Sequence, residues 1–225
     1  FARWLQNDGA EEAVGARAGR IAAVRDVSPL IRVANPEDAP RIAEIYAPAV
    51  LEHVTSFELV APDANEMVAR ITRVLERYPW LACELDGRVI GYAYASMHSD
   101  RAAYRWSANV AVYVSGDVHR RGVGTALYAS LFEILALQRL RNVYAGITMP
   151  NAASEWMHGR AGFKLVGMYH HVGYKFGAWH DVAWLERAIL ALVINPPEPL
   201  SFPEIRDTPP VAAAMAKGQA LLRRR

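Results

Sequence analysis

Two glycines separated by one residue, Gly122 and Gly124, follow a strand-like apolar run and precede a helical pattern. At a helix N-terminus the first backbone N–H groups lack intrahelical acceptors and the helix dipole is positive, so phosphate oxygens bind there when no Cβ blocks the approach. Arg120, Arg121 and the Thr125 hydroxyl flank the glycines and add charge and hydrogen-bond donors. The combination predicts a diphosphate-binding turn.

The spacing of the glycines excludes two common nucleotide sites. It is neither the dinucleotide pattern G-x-G-x-x-G nor the P-loop pattern G-x-x-x-x-G-K-[ST]. Taken alone, a G-x-G turn with two arginines is more typical of an ordinary helix start. The helix that follows has one apolar face, which fixes it against a sheet and holds the turn in place; this face consists of Val123, Leu127, Leu131, Ile134 and Leu135.

Composition restricts the class of protein. The 225 residues are 52% hydrophobic and 21% charged, with a formal net charge of +2. We therefore expect one globular domain with terminal extensions, and neither nucleic acid nor a membrane as a partner. Cys83 is the only cysteine, which excludes an internal disulfide and fits the reducing environment of the cytoplasm.

Hydrophobic periodicity predicts the element order β-α-α-β-β-β-α-β-α-β-β, and hence an α/β fold with a mixed sheet. Asn35 and Pro36 suit the N-cap and first residue of the first helix. The pair Asp86-Gly87 between two apolar runs predicts a tight hairpin turn. Gly162 is expected to end the short helix in "ASEWMHGRAG".

Three segments are expected along the chain. Residues 1–28 read as an N-terminal arm and residues 29–194 as the compact domain. Residues 195–225 form an extension, whose prolines between Asn195 and Pro210 predict no regular structure there, followed by a short alanine-rich helix.

The stretch "VAVYVSGDVHRRGVG" resembles the acetyl-CoA-binding motif of the GNAT superfamily of N-acetyltransferases, [QR]-x-x-G-x-[GA] after a strand. His119 stands at the glutamine or arginine position. The resemblance implies the GNAT fold, a mixed but mostly antiparallel sheet of about seven strands with flanking helices. It also implies acetyl-CoA as co-substrate, with no metal. The residues implied to hold its diphosphate and pantetheine arm are Arg120, Arg121, Gly122, Val123, Gly124 and Thr125, and Val112, Tyr113 and Val114.

A second stretch, "NAASEWMHGRAGF", resembles the other signature of the superfamily. The resemblance implies that Asn151 and Ser154 face the cofactor. His158 stands where a tyrosine is common.

The resemblance narrows to the phosphinothricin acetyltransferase branch, to which "EHVTSFE", "RYPWLACELDGRVIGYAYAS", "AYRWSANVAVYV" and "GYKFGAWHDVAW" are similar. It implies transfer of acetyl to the α-amine of small amino acids such as phosphinothricin or methionine sulfoximine and sulfone, by direct attack in a ternary complex. Enzymes of this branch are commonly homodimers.

Two residues are candidates for catalysis. The branch implies a glutamate general base where this chain has Asn109, whose amide takes up no proton but can orient a water or the amine. His158 is the remaining titratable group, since imidazole exchanges protons near neutral pH; a packed histidine without chemistry is the alternative. We expect His158 to transfer the proton and Asn109 to position a water.

An amino-acid substrate requires a cation for its carboxylate and an aromatic wall for its side chain. Residues of these types that match the branch's substrate side are Phe57, Glu58, Arg101, Tyr104, Arg105 and Lys175. For each of them simple solvent exposure is the alternative. Arg101 and Tyr104 are the stronger candidates by position.

Other readings stay open. The amine could be a polyamine, an aminoglycoside or a peptide N-terminus, although Arg101 and Arg105 disfavour a polyamine. A non-catalytic acyl-CoA-binding module is a further alternative, which Asn109 supports. A metal site is not expected, because adjacent residues such as His170-His171 point to opposite faces of a strand.

Overall fold

A computed structural model describes residues 29–118 and 121–222. The predicted element order is confirmed, whereas the N-terminal arm expected over residues 1–28 lies outside the described residues. The main elements are β1 (Leu30–Val33), α1 (Ala39–Leu51), α2 (Ala64–Leu75), β2 (Trp80–Leu85), β3 (Arg88–Met97), β4 (Ser107–Val114), α3 (Val123–Leu137), β5 (Asn142–Thr148), α4 (Ala152–Arg160), β6 (Lys164–Lys175), β7 (Ala178–Ala188), α5 (Phe202–Ile205) and α6 (Pro209–Gln219).

The strands form one seven-stranded sheet in the order β1-β2-β3-β4-β5-β7-β6. Strands β4 and β5 pair in parallel, and the other neighbours pair antiparallel. This architecture confirms the predicted α/β class and the mixed, mostly antiparallel sheet with flanking helices. The parallel pair lies in the middle of the sheet, where the two halves of the sheet meet.

Local signals in the sequence set several boundaries. The Asn35 side chain accepts a hydrogen bond from the Asp38 backbone, and the Asp38 carboxylate accepts one from the Asn35 N–H, which closes a capping box before α1. Asp86 and Gly87 join β2 to β3 with φ angles of 53° and 74°, the left-handed pair that a primed hairpin turn requires. Gly162 ends α4 in the same left-handed region.

Helices cover both faces of the sheet. Helices α1 and α2 bury Ile42 and Ile71 against Trp80 and Tyr92 on one face. Helix α3 packs on the other face, where Leu131 is fully buried with the inward side chains of β3, β4 and β5. Alternation along β4 therefore sends Val110 and Val112 toward α3, and Asn109 and Tyr113 toward α1. None of the helices within 29–118 and 121–222 is long and apolar enough to cross a bilayer.

The segment after β7 returns to the domain. Phe202 of α5 and Val211 of α6 are fully buried in the same core as α3, and the Gln138 side chain donates hydrogen bonds to the carbonyls of Arg77 and Leu200 at 2.8 Å each. The prediction that prolines exclude regular structure from residues 195–210 is wrong at α5. Proline fits the first turn of a helix, where its missing N–H has no intrahelical partner, and Pro203 stands in that turn.

Helix α6 lies very close to α3 at Gly218. A Cβ at this position would stand 2.1 Å from Ser130 Oγ and 2.3 Å from the Ala126 carbonyl oxygen. Only glycine therefore fits at position 218. Next to it, the Ser130 hydroxyl donates a hydrogen bond to the Met215 carbonyl at 3.2 Å.

Replacing Gly218 by alanine should push α6 away from α3, and we expect the free energy of unfolding to fall by about 1–3 kcal/mol. Gly159, inside α4, is the matched control, because a Cβ there meets nothing within 4 Å and alanine favours a helix by up to about 1 kcal/mol. Chemical denaturation of both variants measures the difference. Equal effects of G218A and G159A would contradict the close packing of α6.

Candidate active site

Strands β4 and β5 separate at the centre of the sheet. They pair over three positions, Ser107 with Asn142, Ala108 with Val143 and Asn109 with Tyr144. Beyond the last pair β4 continues to Val114 and β5 to Thr148 without pairing to each other. The gap between them is a cleft of about 610 Å³, with the pair Asn109–Tyr144 at its apex.

The edge of β4 that faces β5 has free main-chain groups along the cleft. Its other edge pairs with β3 as far as Val114, so alternate N–H and C=O groups between Val110 and Val114 point into the gap. Buried backbone groups require partners, and an extended ligand with amide groups can supply them as a missing strand would. Val112, Tyr113 and Val114, predicted to hold the pantetheine arm, all line the cleft.

The glycine turn lies beside the cleft, because Gly124 is next to Val112 and Met157. Gly122 has a φ of 78° and is the N-cap of α3, which begins at Val123. The N–H groups of Val123, Gly124 and Thr125 precede the first intrahelical donor, the Ala126 N–H bonded to Gly122 O. The predicted diphosphate turn therefore has the geometry of an anion site. His119 and Arg120 lie outside the described residues.

Gly124 lies next to side chains that line the cleft. A Cβ on Gly124 would stand 3.2 Å from Met157 Sδ and 3.7 Å from Val112 Cγ2, and both of these side chains line the cleft. A larger residue here would narrow the passage between the helix end and β4.

Helix α4 forms the wall of the cleft next to β5. Asn151, Ser154 and His158 all border the cleft, and contact of Asn151 and Ser154 with the cofactor stays a prediction. The Asn151 Oδ1 atom caps the helix by accepting from the Ser154 N–H at 3.1 Å. Its amide Nδ2 is the part of the side chain that the cap leaves available to a ligand.

His158 is buried, with 5% of its surface exposed. Its Nδ1 lies 2.8 Å from the Ser154 carbonyl oxygen, which can only accept, so Nδ1 carries the hydrogen. Nε2 then accepts from the Tyr128 hydroxyl at 3.1 Å. Burial lowers the pKa of His158, partly offset by the bond to Ser154. The imidazole is therefore neutral with both nitrogens engaged, and its predicted proton-transfer role stays a prediction.

Asn109 faces a second histidine. The Asn109 side-chain oxygen lies 2.9 Å from His98 Nδ1, and its Nδ2 donates to the Met97 carbonyl at 3.3 Å. His98 also stacks on Tyr144, with ring centroids 4.3 Å apart. Asn109, predicted to position a water, is thus held by His98, which was not predicted from the sequence as a site residue.

Two of the predicted substrate residues, Glu58 and Lys175, have partners inside the protein. Glu58 accepts two hydrogen bonds from Arg70, at 2.8 and 3.0 Å, and one from Tyr46; the Arg70 bonds lower its pKa. Lys175 is buried and donates to the carbonyls of His53 at 3.0 Å and Ser56 at 2.6 Å. Both residues hold the loop after α1 in place.

The other predicted substrate residues lie on the loop after α1 and on the loop between β3 and β4. Phe57 packs on Gly173, where a Cβ would lie 2.2 Å from its ring. Arg105 forms an ion pair with Glu198 at 3.1 Å. Arg101 and Tyr104 are exposed in the loop between β3 and β4, and Tyr104 lies 5.6 Å from the His98 ring. Contact of these residues with a substrate stays a prediction.

Several residues of the cleft were not predicted from the sequence. They come from the end of α1, the loop that follows it, and the helices on the opposite wall: Glu52, His53, Thr55, Tyr128 and Met157. The stretch "EHVTSFE" contains Glu52, His53 and Thr55, although only its Phe57 and Glu58 are predicted as substrate residues. Within the described part of the chain no group of three or more His, Cys, Asp or Glu side chains is placed to hold a metal ion.

Residues 31–184 match the acetyltransferase (GNAT) domain. The chain therefore belongs to the GNAT family and is an N-acetyltransferase. It is 37% identical over 163 residues to a phosphinothricin N-acetyltransferase of Alcaligenes faecalis, covering 72% of this chain and 83% of that protein. It is 34% identical over 162 residues to an L-methionine sulfoximine/L-methionine sulfone acetyltransferase of Pseudomonas aeruginosa, covering 71% and 94%.

The fold of a solved relative agrees. The crystal structure of a GNAT superfamily phosphinothricin acetyltransferase from Sinorhizobium meliloti in complex with AcCoA superposes with a TM-score of 0.73 at 31% identity, covering 79% of this chain and 97% of that one. The predicted family membership is confirmed.

Enlarging Gly124 should block the passage beside the helix end. We expect Gly124→Val to weaken acetyl-CoA binding at least about tenfold, equivalent to about 1.4 kcal/mol, as measured by isothermal titration calorimetry. Gly167→Val in β6 is the control, because a Cβ there meets nothing within 4 Å. Unchanged affinity in Gly124→Val would show that the ligand does not pass this point.

Burial of neutral His158 should make stability depend on pH. The unfolded chain takes up a proton near pH 6.5, whereas the native imidazole, with its lowered pKa, does so only at lower pH. The free energy of unfolding should therefore fall as the pH drops below about 6.5. His158→Gln removes this contribution, so its stability should decline less steeply between pH 7.5 and 5.5 in denaturation series. Parallel curves for both proteins would contradict a buried neutral imidazole.

Proposed function

We propose that the protein transfers acetyl from acetyl-CoA to the α-amine of a small amino acid or analogue, of the phosphinothricin or methionine sulfoximine and sulfone type. The single observation that supports the site is the cleft between β4 and β5, which extends from Val114, next to the N-terminus of α3, toward the last strand pair at Asn109. The substrates of the related phosphinothricin and methionine sulfoximine acetyltransferases support the substrate class.

The residues present fit acetyl-CoA. The free N–H groups at Gly122–Thr125 suit the diphosphate, and Arg121 adds positive charge. The open edge of β4 at Val112–Val114 suits the amide-containing arm. A ligand that runs back along β4 from the glycine turn brings its thioester to the apex of the cleft. There it supplies an activated acetyl group.

The chemistry needs two reactants in contact more than it needs a reactive side chain. A neutral amine attacks the thioester carbonyl directly, so no covalent enzyme intermediate is required. Holding the two in the right orientation can lower the barrier by about 7–11 kcal/mol. The loop after α1 would close the acceptor side, since Lys175 and the Glu58–Arg70 pair fix it over the cleft.

The proposed substrate contacts are Arg101 for the carboxylate and Tyr104 for the side chain, both exposed on the loop before β4. Phe57, Glu58, Arg105 and Lys175 would act by shaping the loops rather than by contact. His158 would exchange a proton only through the Tyr128 hydroxyl, because its own nitrogens are both engaged.

We also propose that the protein is a cytoplasmic homodimer. The absence of any second cysteine supports the compartment. Exposed aromatic side chains at the end of the β6–β7 hairpin, Phe176 and Trp179, support self-association. Light scattering of the purified protein tests the dimer.

A second candidate is an acyl-CoA-binding module without turnover. Asn109, in place of the glutamate that the resemblance implies, favours it, because an amide cannot serve as a base.

A thiol-release assay with acetyl-CoA and a panel of amines separates these functions. We expect turnover with phosphinothricin, methionine sulfoximine or methionine sulfone, and much less with polyamines, aminoglycosides or peptide N-termini, because these lack the compact α-amino carboxylate that Arg101 would bind. Mass spectrometry of the product locates the acetyl group on the α-amine. Tight CoA binding without thiol release across the panel would favour the module, and preference for another amine would refute the proposed substrate class.

A further inference from the structure

The contact between His98 and Asn109 fixes which imidazole nitrogen carries the hydrogen. Asn109 Nδ2 donates to the Met97 carbonyl, so the atom that faces His98 at 2.9 Å is the side-chain oxygen. That oxygen can only accept, and Nδ1 of His98 must therefore be the protonated nitrogen. Nε2 is left with a free lone pair, and among the described residues it has no hydrogen-bond partner.

This imidazole contacts the two residues at which the cleft begins. Asn109 and Tyr144 are the last paired residues before β4 and β5 separate, and His98 bonds to the first and stacks on the second. Ala111 and Gly146, the next residues on the same face of each strand, already line the cleft. Two residues along a strand span about 7 Å, so Asn109 and Tyr144, the two contacts of His98, lie about that far from residues that line the cleft.

We propose that His98 is the catalytic residue that takes the proton from the acceptor amine, and that Asn109 is a positioning residue which holds it in the required tautomer. The assignment rests on the proposed acetyl transfer. An amide at position 109 then leaves base catalysis intact, because the base is the neighbouring histidine.

The proton balance is complete without another reactant. An α-amine is largely an ammonium ion at neutral pH, and His98 Nε2 takes one proton from it to give the nucleophilic amine. The amine nitrogen then bonds to the acetyl carbon and the carbon–sulfur bond breaks. The nitrogen loses a second proton as the amide forms, and the thiolate takes up one proton to become the thiol, so these two changes cancel. The products are the acetylated amine and the thiol, with one net proton released.

The surroundings of His98 contain few competing groups. The rings packed on it are Tyr144 of β5 and Tyr104 of the loop before β4, and none of the ion pairs among the described residues includes it. The rival bases are Glu52 and His53, which line the cleft from the end of α1. The His158–Tyr128 pair lies on the opposite face of the sheet, with α3.

The test compares pH profiles of kcat/KM for the wild type, His98→Gln and Asn109→Asp. The kcat/KM of His98→Gln should be about 10²-fold to 10⁴-fold lower than that of the wild type at neutral pH. Its pH profile should also lack the acidic limb. Its deficit should shrink at high pH, where the amine is neutral without help. Asn109→Asp should shift the acidic limb to higher pH, because a carboxylate beside Nδ1 stabilises the imidazolium ion. A purely structural role for either residue predicts no shift of the limb.

Controls separate the possible failures. His170→Gln removes an exposed imidazole whose Nδ1 also bonds an oxygen, that of Asp181 at 3.0 Å, and should leave the profile unchanged. Calorimetry should show wild-type acetyl-CoA affinity in His98→Gln. An active wild type with an unaltered profile in His98→Gln, or an acidic limb that disappears in His53→Gln instead, would overturn the role of His98 alone. A wild type that binds acetyl-CoA without turnover would overturn the proposed function and the role together.

Discussion

The whole site depends on the point at which two neighbouring parallel strands stop pairing. From Val110 to Val114, β4 keeps its pairing with β3 but no longer pairs with β5. An unpaired strand edge inside a protein is costly unless something fills it, and here helix ends and loops surround the gap instead of another strand. The position proposed for the ligand thus depends first on backbone geometry and only then on side chains.

The two histidines near that gap, His158 and His98, lie on opposite faces of the sheet and have different surroundings. On the α3 side, burial keeps His158 neutral and two hydrogen bonds immobilise it. On the α1 side, His98 has one nitrogen fixed by Asn109 and the other free. The two imidazoles are the same residue type, and their different hydrogen-bond partners leave only His98 with a nitrogen available for proton transfer.

The sequence predicts those features that are written in neighbouring residues. The glycine turn, the hairpin at Asp86-Gly87 and the cap at Asn35 depend on contacts a few residues apart, and the structure contains each of them. The cleft could not be predicted in this way, because the separation of β4 from β5 is a property of strands about thirty residues apart. Glu58 and Lys175 are predicted as substrate ligands for a similar reason, because their actual partners, Arg70 and the carbonyls of the loop after α1, are distant from them in the sequence.

Long-range partners also explain the remaining differences. His98 is not predicted from the sequence as a site residue, because its partner Asn109 lies on the next strand. The proline-rich segment is predicted to be irregular, although Pro203, Pro209 and Pro210 stand at helix starts and apolar residues of the segment complete the core beside α3. Family resemblance identified the class of chemistry, and only the contacts between strands distinguish this chain's version of it.

The most direct test of the central claim is a crystal structure of the protein with CoA. We predict that the diphosphate contacts the N–H groups of Gly122–Thr125 and that the pantetheine arm lies between β4 and β5, bonded to the main chain of Val112–Val114, with its sulfur directed to Asn109. A CoA molecule bound elsewhere, with β4 and β5 closed together, would contradict the account.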